Sequence, residues 1–244
     1  MGDSWAATVL TAVVVAALPA VLPKADVVAA APTLPGIGVE DRRTVVDPTL
    51  PPWDAIAKIQ TNIGSRCTGV LVAPDKVLTA AHCLYNRRTR ALLQAGSLHV
   101  LFGYERGDYR WHVRVASYAV GNGYQAGRPG SDWARLELAQ AIPSEVRPLS
   151  LANEPAASGT AIALPGYSQD RSQLLMADIE CHITGMAAVD GEILLTHDCD
   201  ATRGTSGGPL LVRRGDRWEV VGLNIAVAST TNLALPATAL ADRR

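Results

Sequence analysis

From Trp53 onward the chain alternates short apolar runs with clusters of Gly, Pro, Asn and Asp. The runs are Ala55–Gln60, Thr68–Ala73, Val77–Thr79, Leu98–Phe102, Trp111–Tyr118, Ala134–Leu138, Thr160–Leu164, Leu174–Ile183, Ile193–Thr196, Leu210–Val212 and Glu219–Ile225. Their length, their content of Val, Ile, Leu and Thr, and the turn-forming residues that bound them predict β-strands. Many short strands with few helical patterns between them predict an all-β sandwich or a pair of barrels. The alanine-rich end, Pro236 to Arg244, is expected to form a short terminal helix. No internal repeat recurs at a fixed period.

The N-terminal part has a different character. Residues 25–52 carry Pro32, Pro35, Pro48, Pro51 and Pro52 among Ala and Val. This composition reads as a linker or pro-segment and not as a core element. Before it, Ala6 to Leu22 is an apolar run broken by Pro19 and softened by Thr8 and Thr11, and Ala29-Ala30-Ala31 supplies small residues suited to cleavage. A cleaved signal peptide over 1–31 is expected, with the protein secreted or periplasmic. The rival is a retained anchor, because Asp3 and the lack of Lys or Arg weaken the n-region, yet the run is short for a span. No stable membrane association is expected after cleavage.

Composition narrows the function classes. A chain of 244 residues holds one large domain or two small ones, and 18% charged with 48% hydrophobic residues favours a folded chain. A net charge of −1 leaves no basic footprint for nucleic acid and no polybasic membrane patch. The cysteines are Cys67, Cys83, Cys181 and Cys199. An even count fits two disulfides, within 67–83 and 181–199, in an oxidising compartment. Zinc is the alternative, since His82, His182 and His197 lie beside or near cysteines. No Cys-x-x-Cys spacing occurs, and adjacent residues rarely reach one metal together, so no metal site is expected.

The candidate chemistry lies in Gly204-Thr205-Ser206-Gly207-Gly208-Pro209. A serine among glycines can sit on a sharp turn with its hydroxyl exposed, but it needs a positioned base. The Gly-x-Ser-x-Gly pattern also occurs on α/β-hydrolase elbows, where the histidine follows the serine. Here the last histidine, His197, precedes Ser206. The subtilisin order needs an acid before the histidine and an α/β pattern, which is missing. The order left is histidine, acid, serine, with His82 in Thr79-Ala80-Ala81-His82-Cys83 as the base. The acid is one of Asp108, Asp132, Asp170, Asp178, Asp190, Asp198 and Asp200. Asp132 stands out because it opens Asp132-Trp133-Ala134-Arg135-Leu136, where a Gly/Pro/Ser loop meets an apolar strand; a plain turn cap is the alternative role.

The segments around His82, Asp132 and Ser206 together resemble the signature segments of trypsin-like serine peptidases. The compact length and the Asp-Trp-Ala form are most similar to the bacterial branch that includes glutamyl endopeptidases. The resemblance spans roughly residues 53–240. It implies two six-stranded antiparallel β-barrels, over 53–145 and 146–244, with the active site in the cleft between them. It implies Ser206 as nucleophile, His82 as base, Asp132 as orienting acid, and the backbone N–H groups of Gly204 and Ser206 as the oxyanion hole. Cys67 and Cys83 match the family's disulfide beside the histidine, and Cys181 with Cys199 would tie down the loop leading to Ser206. The implied reaction is peptide-bond hydrolysis by a monomer without a cofactor, on a protein or peptide substrate.

One position departs from the trypsin pattern and another matches it without fixing specificity. Thr205 stands where trypsin has the aspartate that pairs with a new N-terminus. Asp200 lies six before Ser206, at the offset of trypsin's pocket aspartate, where it would either select Arg or Lys or play a structural part beside Cys199. Asn224 replaces the histidine that glutamyl members use to receive a carboxylate. Ile225, Ala226 and Val227 would form the pocket wall and the edge that pairs with substrate, and their side chains predict small or modest P1 residues. Arg87, Arg88 and Arg90 read as a solvated loop, Arg213–Arg217 as a hairpin turn, and His99, His112, Trp111 and Trp218 as structural. A catalytically silent homologue acting as a binding module and an esterase are the competing functions.

Overall fold

The computed structural model describes residues 1–2, 34–227 and 231–241. The apolar runs become strands because alternate side chains can share one buried face. In Ala134–Leu138 the buried residues are Ala134, Leu136 and Leu138, while Arg135 and Glu137 between them pair at 3.1 Å on the other face. The first six strands are β1 (Ile56–Thr61), β2 (Arg66–Ala73), β3 (Lys76–Thr79), β4 (Leu98–Phe102), β5 (Trp111–Val120) and β6 (Ala134–Leu138). They close into an antiparallel barrel in the order β1-β2-β3-β6-β5-β4.

The second six are β7 (Ala161–Gly166), β8 (Met176–Val189), β9 (Glu192–His197), β10 (Pro209–Arg214), β11 (Arg217–Val227) and β12 (Asn232–Pro236). They close in the equivalent order, β7-β8-β9-β12-β11-β10. The chain thus builds one topology twice with no sequence period, because closure depends on strand order and burial and not on residue identity. Each expected strand is present. The closing strand β12 has no counterpart among the sequence-level runs: Leu233, Ala234 and Leu235 between Asn232 and Pro236 are too short a signal. The expected terminal helix is α1, Ala237–Ala241.

The signal-peptide reading of 1–31 lies, from residue 3 onward, outside the described residues. Among the described residues no helix is long and apolar enough to cross a membrane. The segment expected as linker or pro-segment is docked along much of its described length. Ala201 N donates to Gly36 O at 2.8 Å, and Thr44–Val45 pairs with β8. Arg42 meets buried Asp178 at 3.0 Å, and buried Arg43 is clamped by Asp41 and Asp170 at 2.8 Å each. These carboxylates keep the Arg43 guanidinium firmly protonated against the cost of its burial. Proline content hid this docking, since every anchor but Asp41 lies far away in sequence.

Two β-strand residues tie the barrels together. Thr68 of β2 donates from its N–H to Ser206 O at 2.9 Å and from Oγ1 to Gly204 O at 2.8 Å, and its Oγ1 accepts from Tyr167 N at 3.0 Å. Lys58 of β1 is fully buried, donates to Ser172 O at 2.6 Å and lies 3.6 Å from the Tyr104 ring centroid. Burial, with a smaller contribution from Arg66, pushes the Lys58 ammonium down to about 8. Between that value and 10.5 the unfolded chain holds a proton that the folded chain has released, so this group favours folding increasingly as pH rises through that window. The unfolding free energy of the wild type minus that of Lys58→Met is therefore expected to grow between pH 8 and 10.5. A pH-independent difference in urea denaturation would show that Lys58 does not titrate there.

Candidate active site

His82 and Asp132 meet because of one strand pairing. Thr79 ends β3 opposite Ala134, which begins β6. In an antiparallel pair the chain leaving one strand and the chain entering the other lie at the same end of the barrel. His82 follows Thr79 on the short 3-10 helix Ala81–Leu84, and Asp132 caps the 3-10 helix Pro129–Ser131 just before β6. Asp132 is buried and accepts twice: Oδ1 takes the His82 backbone N–H at 2.8 Å and Oδ2 faces Nδ1 at 2.7 Å. A carboxylate can only accept, so it holds the proton on Nδ1 and leaves Nε2 as a free base on the half-exposed edge of the ring. The Cys67–Cys83 bridge fixes the same helix to β2. Closing a loop of 16 residues stabilises the fold by about 3 kcal/mol in the chain-entropy account. The Cys181–Cys199 bridge joins β8 to the segment leading to Ser206.

Ser206 lies on the turn that precedes β10. Its neighbours Gly204 and Gly207 have φ of +96° and +79°. A Cβ at Gly204 would strike Tyr167 O, and one at Gly207 would strike Thr68 O and Thr79 Oγ1. The second clash shows why this turn requires glycine: it nests directly against the first barrel. Gly207 N donates to Asn224 O at 2.7 Å and Gly208 N to Thr205 O at 2.8 Å. Among the described residues the Gly204 and Ser206 N–H groups have no acceptor in the fold. Two free N–H groups beside a hydroxyl form a site where an oxyanion can be stabilised. Buried Thr205 meets Ser168 through their hydroxyls at 2.9 Å, so a neutral pair holds the turn.

A cleft of about 640 Å³ carries both His82 and Ser206, with Gly204 on its wall. Arg87 and Arg88, expected as plain solvated loop, also line it. The residues expected as substrate pocket are not among those lining this cleft. Asn224 and Ile225 are buried near the end of β11, Ala226 is half-buried and Val227 exposed. Asn224 Oδ1 faces His197 Nε2 at 3.2 Å and its Nδ2 donates to Thr205 O at 3.4 Å. Burial pushes the His197 imidazole down to about 4, outweighing the hydrogen bond that Asn224 Oδ1 can accept from it, so it is neutral at ordinary pH. Asp200 is buried, and its oxygens accept the Gly38 and Arg42 N–H groups at 2.6 and 2.8 Å. Thr68, Ser168 and His197 were not singled out from the sequence for the site; nothing in their local pattern separates them from ordinary strand and loop residues.

The family model described as Trypsin matches residues 43–240, most of the chain. The chain belongs to the trypsin family. Within that family it is similar to the Glutamyl endopeptidase of Bacillus licheniformis, 28% identical over 188 residues covering 76% of this chain and 57% of that protein. It is also similar to human Kallikrein-12, 31% identical over 60% of this chain and 64% of that protein. Serine protease 23 of Bos taurus is 29% identical over 70% of this chain and 51% of that protein. The chain therefore spans only about half to two-thirds of the length of these curated relatives. A solved structure of a Glu endopeptidase matches with a TM-score of 0.73 and 28% identity, covering 85% of this chain and 95% of that one. Both closed barrels of this trypsin-family chain agree with that likeness.

Proposed function

We propose that this chain is a secreted serine endopeptidase. The observation that carries the reading is the double contact of Asp132 with the backbone and Nδ1 of His82, facing the cleft that Ser206 shares. Ser206 Oγ attacks the peptide carbonyl while His82 Nε2 takes its proton. The N–H groups of Gly204 and Ser206 hold the resulting oxyanion. His82 then protonates the leaving amine, and water releases the acyl group by the same steps in reverse order. All these groups come from one chain and need no cofactor, which supports action as a monomer. Two disulfides support an oxidising destination.

Activation in this reading needs no ion pair with a new N-terminus, because Thr205 and Ser168 already support the turn. Small or modest P1 residues fit the site better than Glu, Arg or Lys. The Asp200 carboxylate is engaged by the Gly38 and Arg42 N–H groups, and Asn224 and His197 present a neutral, buried pair where a glutamate carboxylate would need positive charge. A fluorophosphonate probe is expected to label the mature protein at Ser206. A peptide library is expected to return cleavage after small residues. Failure of both labelling and cleavage removes the peptidase reading in favour of a silent binding homologue. Hydrolysis of esters but not peptides converts it to an esterase, and a profile led by Glu, Arg or Lys refutes the pocket assignment.

A further inference from the structure

Four arginines from three separate segments converge on the active-site cleft: Arg66 at the start of β2, Arg87 and Arg88 after His82, and Arg203 beside Gly204. All four are exposed, and no aspartate or glutamate lines the cleft with them. Among the described residues none of the four has a carboxylate within 4.0 Å, so their charges are not neutralised by a neighbouring side chain. This concentration stands out in a chain whose net charge is −1. Uncompensated guanidinium groups in a concave site focus a positive potential and attract carboxylates in paired geometry.

The cleft also has a direction. Its lining includes the Cys67–Cys83 bridge and His82, whose Nε2 serves the leaving amine in the proposed reaction. The edge expected to hold the acyl half of a substrate, Ile225 to Val227, does not line it. We infer that Arg66, Arg87, Arg88 and Arg203 select acidic residues on the leaving-group side of the scissile bond, so that the preferred substrates carry Asp or Glu just after the cleavage point. This rests on the peptidase reading for its direction but not for the charge of the cleft.

The test uses peptides that share one acyl half and continue after the scissile bond with Asp-Glu, Ala-Ala or Lys-Lys. At low salt kcat/KM is expected to be about ten-fold or more higher for the acidic than for the basic peptide, with the ratio shrinking as salt rises. The double variant R87E/R88E, which cancels the summed charge of the four groups, is expected to bring the ratio close to one. Because the readout is a ratio between peptides on one preparation, a change in overall activity cancels. Binding of the same peptides to Ser206→Ala provides an independent measurement. Equal rates for the three peptides, or a preference for the basic one, overturn the inference and leave the peptidase reading intact. No hydrolysis and no fluorophosphonate labelling, with tighter binding of the acidic peptide, overturn the peptidase reading and uphold the anion-selective cleft. Neither hydrolysis nor a binding preference overturns both.

Discussion

Ser206→Ala is expected to lower kcat for peptide hydrolysis by about 10⁶-fold, with a residual rate still above that in water. In the proposed mechanism the variant removes the atom that bonds covalently to the substrate, while the Gly204 and Ser206 N–H groups and the cleft stay in place. The fold should not suffer, because Ser206 is held through its backbone: its carbonyl accepts from Thr68 N at 2.9 Å, and the glycines beside it set the turn. Unchanged thermal unfolding together with lost turnover and lost fluorophosphonate labelling is the expected outcome. Turnover within ten-fold of wild type would mean that another group is the nucleophile.

Asp132→Asn should lower kcat by about 10⁴-fold at neutral pH with little change in KM. The aspartate accepts at both oxygens, from His82 N and opposite Nδ1. An asparagine has one acceptor and one donor. If its oxygen keeps the His82 backbone N–H, its amide faces Nδ1 and requires that nitrogen to be unprotonated. The proton then resides on Nε2, which can no longer accept from Ser206. The fold change is small and the chemical change is total. ¹⁵N NMR of the imidazole reads this directly: Nδ1–H in the wild type and Nε2–H in the variant. An unchanged tautomer with an unchanged rate would assign Asp132 to turn capping alone.

Much of the candidate site was legible in the sequence because its candidate groups sit in dense local motifs. Gly204 and Gly207 announce a turn whose backbone forbids Cβ atoms, and Asp132 marks the junction of a loop with a strand. The chain order of His82, Asp132 and Ser206 excluded the α/β-hydrolase elbow. The pocket was less legible. Asp200 could be placed by its offset from Ser206, but what occupies its oxygens is decided by Gly38 and Arg42, 162 and 158 residues away in sequence. The strap from Gly36 to Val45 read as a linker because it lies between the flanking prolines of residues 25–52 and most of its anchors are distant. Arg87 and Arg88 read as solvent-facing because nothing nearby shows that Arg66 and Arg203 will face the same hollow.

The sequence by itself determined the strands, the two-disulfide option and the ordered catalytic candidates. Each depends on periodicity or spacing over a few residues, which is how backbone preference and burial are written along a chain. Only the tertiary structure decided that the two barrels share one strand order, that Thr68 bonds Gly204 across 136 residues, and that four arginines surround one cleft. Those facts depend on which distant groups closure brings within hydrogen-bond or Coulomb range. Such partnerships are set by topology and packing, and no local pattern records them.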